Sequence, residues 1–298
     1  MFPGDTERDW ETVKKITPAI GRGERDVGDL RVLLFGVPAM TDRGWLGYCT
    51  VVLFPLEDGW ALFDTGHQSD RHILFSALQA SDIRPEDIRY VVLSHLHFDH
   101  SLNLPLFPNA EVYISQAELD YARQVSTGEV RDFSIPDFWP ALLDKRRVHI
   151  VEDDLRISPT KRLKVLPGHT PGCMAMFCED SGAAVCGDVI KNAWEAVTGK
   201  AGQAAAGEAA AASSIRFVMA GAGTVIPGHD SPFCKKPEGI EYLFPFRWEI
   251  KASLYPDLPE RTILNLERWA GVALDRASVE ESAVKKDPDK KRKGGDGT

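Results

Sequence analysis

Short apolar runs separated by charged or glycine-bearing turns recur along the chain and predict a sheet-rich fold. In the first half they fall at residues 30–35, 49–54, 60–63, 90–93 and 112–114, rich in the Val, Leu and Phe that strands favour. Between them, residues 70–80 set His72-Ile73, Phe75 and Leu78 at helical spacing, and residues 115–124 open on Ser115, a good helix cap. The second half repeats the theme, with strands expected at 148–151, 163–166, 174–178, 183–186 and, briefly, 224–226. Residues 196–214 are alanine-rich and predict a helix interrupted by Gly199, Gly202 and Gly207; a mobile flap is the alternative. Residues 259–284 carry Ile263, Leu264, Leu266, Trp269, Val272 and Leu274 and predict a closing helix. The expected organisation is a charged extension over 1–28 with a short helix from Trp10 to Ile16, one domain over 29–284, and a disordered charged tail over 285–298.

The strongest chemical signal follows the run at 90–93. There the chain reads His95-Leu96-His97-Phe98-Asp99-His100, three imidazoles and a carboxylate where a buried strand hands over to a loop. Later turns supply Pro167-Gly168-His169, Gly187-Asp188 and Pro227-Gly228-His229. Residues one apart in an extended segment point the same way, so His95 and His97 grip one ion, with His169 as third ligand. Asp99 and His100 lie past the strand end and serve a second ion with His229. Asp188 is the natural bridge, because its two oxygens can hold both cations. A catalytic zinc wants about three protein ligands and an open position, and a paired site activates a shared water. Imidazole with carboxylate fits two divalent ions such as Zn, with Mn, Fe or Co as alternatives. His67, His72 and His149 read as ordinary structural histidines.

These pieces together resemble the metallo-β-lactamase superfamily: Asp64 in Phe-Asp-Thr-Gly-His, the cluster from His95 to His100, His169, Asp188 and His229, in the family's order. The resemblance implies a mixed α/β fold, a four-layer αββα sandwich with the metals at one end of its two sheets. It also implies that Asp64 orients ligands, a role in keeping with the need to hold a metal-bound histidine's other N–H; otherwise Asp64 is a turn residue. The ligand set with Asp188, and its spacing, is similar to that of the N-acyl-homoserine lactone lactonases. Those enzymes carry a tyrosine shortly after the bridging aspartate, and residues 189–194 hold none. Lys191 or Asn192 is the candidate to polarise the carbonyl in its place. Cys173, where relatives often have another histidine, reads as packing.

The expected function is hydrolysis of a lactone or related ester by metal-bound hydroxide, with Asp99 or Asp188 moving the proton to the leaving oxygen. Phosphodiesterase or nuclease chemistry and a glyoxalase-type thioesterase are the alternatives, with a mononuclear iron sulfur dioxygenase behind them. Aromatic loops are expected to wall a pocket for a small-molecule substrate, with Trp45, Phe138 and Trp139 as candidates. The 298 residues, 43% of them hydrophobic, can bury a full core, and the net charge of −9 argues against a general nucleic-acid binder. Five cysteines without a Cys-x-x-Cys pair, and no secretory leader, read as reduced thiols in a cytoplasmic protein. No run is long enough to cross a membrane. The oligomeric state is open, a homodimer being one arrangement the sequence permits.

Overall fold

Strand residues of this chain alternate between two different cores, and that alternation builds the layers. A computed structural model describes residues 26–252 apart from 38 and 43, together with 262–268 and 273–274. Seven strands lie side by side in one sheet in the order β1 (Asp26–Val27), β2 (Leu30–Leu34), β5 (Val51–Leu56), β6 (Gly59–Phe63), β7 (Ile88–Val92), β8 (Glu111–Ser115) and β9 (Val148–Val151). Between β2 and β5, β3 (Met40–Thr41) and β4 (Gly44–Trp45) form a small ribbon. The second sheet has eight strands, in the order β10 (Asp154–Arg156), β11 (Lys161–Val165), β12 (Met174–Cys178), β13 (Ala183–Val185), β14 (Thr224–Ile226), β15 (Phe233–Lys236), β16 (Gly239–Tyr242) and β19 (Ala273–Leu274). An antiparallel pair, β17 (Phe246–Ala252) and β18 (Thr262–Arg268), stands apart from both. Strands β6 to β9 run parallel, as do β13 and β14.

Successive side chains of a strand face opposite sides. Val52 and Phe54 of β5, Ala61 and Phe63 of β6 and Val92 of β7 therefore meet Met174, Met176, Val185 and Ile226 in a core between the sheets. The intervening Val51, Leu53, Leu62 and Val91 face outward onto α1 (Arg71–Ala80) and, after the short α2 (Phe98–Ser101), onto α3 (Gln116–Thr127), through Leu74, Leu78, Leu119 and Ala122. On the far side, Ala175, Phe177 and Ala184 pack with Ile215 and Val218 of the last helix among the described residues. That helix is α6 (Glu208–Gly221), preceded by α4 (Trp139–Leu143) and α5 (Ala193–Thr198). Helix, sheet, sheet, helix is the expected four-layer sandwich. No helix among the described residues is long and apolar enough to cross a membrane. All five cysteines are free, and four of them are buried.

One expected element is corrected. The closing helix is absent where the chain is described: residues 262–268 form β18, and 273–274 pair with β16. The reason lies in a partner the apolar count did not weigh. Residues 246–252 read Phe-Arg-Trp-Glu-Ile-Lys-Ala, a strict period of two, and set Trp248 opposite Leu266 and Ile250 opposite Leu264. The remainder of 259–284, the Trp10 to Ile16 helix and the tail lie outside the described residues. The alanine-rich stretch is helical and interrupted at its glycines, as expected, giving two helices. Helix α5 ends at Gly199 in a left-handed cap with φ 69°, and α6 starts after Gly207 with φ 97°. The link between them is tied down, Ala205 and Ala206 donating their N–H groups to the carbonyls of His169 and Gly168.

Phe54→Ala empties part of the inter-sheet core and is expected to cost about 3–5 kcal/mol in urea unfolding, against under about 1 kcal/mol for Trp60→Ala at the partly exposed rim. A pH test falls on Asp70, whose carboxylate accepts the N–H of His67 at 3.1 Å ahead of α1. Burial pushes its carboxyl up to about 7, the bond from His67 opposes this, and Asp99 adds to it. The folded chain then holds a proton that the unfolded chain has released by about pH 4, so stability falls as pH rises from about 4 to 7. Asp70→Asn removes that penalty. In metal-free protein the variant is expected to gain on wild type as pH rises from 5 to about 7 and to level off above that in denaturant titrations.

Candidate metal centre

Every strand that feeds the site does so from its carboxyl end, where open α/β sheets gather ligands. Asp64 follows β6, the cluster from His95 to His100 follows β7, His169 follows β11, Asp188 follows β13 and His229 follows β14. The first two come from one sheet and the last three from the other. Two turns allow the approach. Gly187 has φ 47°, and a Cβ there would lie 2.5 Å from Ser94 Cβ. A Cβ on Gly228 would lie 2.4 Å from Asp188 Oδ1.

The seven expected donors converge on one buried region in two groups. His95, His97 and His169 each offer a ligand atom within 4.8 Å of the others, and so do Asp99, His100 and His229. Asp188 lies between them. Its Oδ2 is 3.2 Å from His169 Nε2 and 4.0 Å from His95 Nε2, while its Oδ1 is 3.3 Å from His100 Nε2 and 3.2 Å from His229 Nε2. Asp99 Oδ2 stands 3.6 Å from His100 Nε2 and 3.4 Å from His229 Nε2. One oxygen of Asp188 therefore addresses each group.

The outward ring nitrogens are held so that the inward ones present lone pairs. His100 Nδ1 donates to Asp64 Oδ2 at 2.7 Å, His97 Nε2 to Asp132 Oδ2 at 2.9 Å, and His229 Nδ1 to the Tyr48 carbonyl at 2.9 Å. Ser94 Oγ gives its proton to Asp64 Oδ2, so it accepts from His95 Nδ1 at 2.9 Å. His169 is the exception, its Nδ1 being buried with no hydrogen-bond partner among the described residues. Inward, His95 Nε2, His100 Nε2 and Asp188 Oδ1 are also buried and unpartnered. Buried polar atoms are rarely left so. Fixed imidazole lone pairs around a carboxylate are the donor set a pair of divalent cations requires, and the residues present fit such ions.

Charge reinforces this geometry. Burial pushes the Asp188 carboxyl up, but His229, Lys191, His100 and His169 outweigh it and hold it well below the usual carboxylate range. Burial, with the neighbouring imidazoles, drives His95 and His169 well below the ordinary histidine value, keeping them neutral as metal ligands must be. Burial opposes a charge on His100, yet Cys49, Asp99, Asp188 and Asp64 raise it well above that value. A cation beside those carboxylates meets the same field.

Two carboxylates of this region were not anticipated. Asp132 holds His97 and accepts the Tyr121 hydroxyl at 2.9 Å. Glu118, in the first turn of α3, accepts the Leu96 N–H at 2.9 Å and the Thr170 hydroxyl at 2.6 Å. Neither lies near a histidine in sequence, so only the fold reveals them. Among the expected pocket residues, Trp139 is buried in the core beneath α3, its indole N–H donating to Ser126 Oγ at 3.0 Å. A proline at the second position starts α4 there, and the ring turns inward. The Asn192 side chain caps α5 by accepting the Glu195 N–H, so it is already spoken for. Lys191 Nζ lies 3.3 Å from Asp188 Oδ2 and 5.7 Å from the centre of the exposed Trp45 ring. Phe138 is exposed, and so is Phe133.

The model of the metallo-beta-lactamase superfamily matches residues 43–229. An N-acyl homoserine lactonase from Bacillus cereus is 29% identical over 106 residues, 36% of this chain and 39% of that protein, so the chain spans about two fifths of that relative's length. Metallo-beta-lactamase domain-containing protein 1 from Mus musculus is 27% identical over 220 residues, 66% of this chain and 74% of that one. A metallo-beta-lactamase-like crystal structure from Thermotoga maritima aligns with a TM-score of 0.57 at 19% identity, over 70% of this chain and 99% of that one, a likeness of fold. With a family match over more than half of its length and its donors gathered at the sheet ends, the chain belongs to the metallo-beta-lactamase superfamily.

Proposed function

We propose that this chain is a binuclear metal-dependent hydrolase of lactones or related carboxylic esters. The observation that carries the reading is Asp188, whose two oxygens each face one imidazole group across 3.2–4.0 Å. On this reading His95, His97 and His169 hold one ion, Asp99, His100 and His229 the other, and Asp188 joins them. When bound, the ions supply Lewis acidity, making water nucleophilic at neutral pH and drawing charge from the carbonyl. Zinc suits the donors best.

The chain's own groups do the rest. Asp99 or Asp188 takes the proton of the attacking water and returns it to the ring oxygen as the carbon–oxygen bond of the lactone breaks. Lys191, whose ammonium group stands 3.3 Å from Asp188, is placed to donate a hydrogen bond to the carbonyl oxygen as it gains charge. It is favoured over Asn192, which caps a helix. Trp45, beside Lys191, is the aromatic wall of the pocket, and the exposed Phe138 a more distant candidate. The similarity to N-acyl homoserine lactonases supports the ester class within the superfamily.

Purified protein is expected to carry two metal ions per chain by elemental analysis. Exhaustive chelation is expected to abolish turnover, and Zn, Mn or Co to restore it. His169→Ala is expected to lower kcat/KM at least a hundredfold; full activity in that variant sinks the reading. A substrate panel on metal-quantified protein separates the alternatives. Acyl lactones and aryl esters are expected to lead, whereas faster turnover of bis(p-nitrophenyl) phosphate or of a thioester assigns the phosphodiesterase or glyoxalase-type alternative. Lys191→Met is expected to lower kcat for lactones roughly ten- to a hundredfold while metal content stays at two.

A further inference from the structure

Glu118 is buried to 1% exposure, yet no lysine or arginine pairs with it among the described residues. Such a carboxylate is costly unless its bonds serve a purpose. Its two oxygens reach opposite halves of the chain. One accepts the N–H of Leu96, the residue between His95 and His97; the other accepts the hydroxyl of Thr170, the residue after His169. A single side chain thereby joins the backbone neighbours of all three donors in the three-histidine group. No comparable contact from Glu118 reaches Asp99, His100 or His229.

The helix that carries Glu118 is pinned at the same place. Ser115 caps α3 by accepting the Glu118 N–H at 3.0 Å and sends its own proton to the Gly172 carbonyl at 2.6 Å. Gly172 approaches so closely that a Cβ on it would lie 2.1 Å from the Glu118 nitrogen. Behind the cluster, the Met174 N–H completes the seam by donating to the Ser94 carbonyl at 2.9 Å. Bonds to a carboxylate are shorter and stronger than neutral ones, so this tie holds the backbone on either side of the three imidazoles at a fixed separation. Burial holds the Glu118 carboxyl above its ordinary value, although the bonds from Thr170 and Leu96 and the nearby His97 pull it down.

We propose that Glu118 is the positioning residue of the three-histidine site, fixing the separation of the His95–His97 segment from His169 and thereby setting that site's metal affinity apart from its neighbour's. The inference rests on the reading that the cluster binds two metals. It touches neither substrate nor metal and acts through Leu96 and Thr170.

The test separates the two sites before perturbing them. In a His229→Ala background only the three-histidine group is complete, and in a His169→Ala background only the Asp99–His100–His229 group is. Zinc affinity is measured in each by competition with a chromophoric chelator, and cobalt absorption reports ligand geometry. Adding Glu118→Ala is expected to weaken zinc tenfold or more in the first background and less than threefold in the second. Glu118→Gln, which keeps an acceptor for Leu96, is expected to restore most of the affinity. Thr170→Val removes half of the tie without emptying the core and is expected to weaken the first background by several-fold, which keeps the test open should Glu118→Ala fail to fold. Unchanged affinity in the first background, or equal losses in both, overturns the proposal. A wild-type chain that binds no metal overturns it together with the proposed function, whereas two tightly bound ions untouched by all three substitutions overturn it alone.

Discussion

A carboxylate buried among imidazoles, with one oxygen turned to each of two groups, is the contact around which this molecule is arranged. Asp188 has four nitrogens of His95, His100, His169 and His229 within 4.0 Å of its oxygens. The outer nitrogens of His100, His97, His95 and His229 are held by Asp64, Asp132, Ser94 and the Tyr48 carbonyl, while His169 has no such outer partner among the described residues and sets its Nε2 3.0 Å from His97 Nδ1. Without a cation the carboxylates draw protons onto His100 and His229, and the desolvation of each buried polar atom adds to the cost. Divalent metal binding, which the family fold implies, would relieve that cost by coordination. The family membership and the unpartnered His95 Nε2, His100 Nε2 and Asp188 Oδ1 are two independent routes to the same requirement.

Holding such a cluster before metal arrives falls to the seam between the two sheets. The donors are divided, four from the turn after β7 and three from turns after β11, β13 and β14, so neither half is a site by itself. Each group has its own tie across the seam. For the three-histidine group it is Ser115 and Glu118 reaching Gly172 and Thr170. For the other it is Thr50 at the start of β5, whose N–H and hydroxyl donate to the carbonyls of Gly228 and Pro227 at 2.7 Å and 2.6 Å. The glycines in these turns are there for approach. A Cβ on Gly36 would lie 2.2 Å from the Gly228 carbonyl oxygen, and one on Gly172 would collide with α3. The apolar core between the sheets supplies the driving force for this docking, and the polar ties set its register.

What the sequence disclosed follows from where chemistry constrains residue type. Ligands must be histidine or aspartate at set offsets from a strand end, so the six residues from His95 to His100 and the later Pro-Gly-His turns are readable in one chain. Alternation along β5 and β6 is readable for the same reason, since a one-residue slip exchanges the two cores. Asp132 and Glu118 are not readable. A carboxylate that supports a ligand can come from any segment the fold brings near, and these come from a loop and from a helix's first turn. Trp139 shows the opposite limit: a proline-flanked aromatic suits a pocket wall and a helix start equally, and burial decides. The stretch from Thr262 to Arg268 carries enough apolar residues for either period, and only pairing with 246–252 settles it as a strand.

Where the metal cluster is generic, the loops around it are particular to this chain, and one of them is bound to the cluster itself. The ribbon of β3 and β4 carries Trp45 at its rim and returns through Gly47, whose φ of 61° lets the backbone pass where a Cβ would lie 2.7 Å from the Phe98 ring and 3.3 Å from Asp99 Cβ. The next residue, Tyr48, holds His229 through its carbonyl. A shift in this wall therefore moves a donor and a ligand-bearing turn together. Lys191 makes the same coupling from the other sheet, since its carbonyl accepts the His229 N–H while its ammonium group stands over Trp45 and beside Asp188. The aromatic rim and the candidate metal donors are thus coupled through shared contacts. The superfamily's shared donor set can be read from the histidines, and the proposed substrate position is the place where Trp45 and Lys191 approach Asp188.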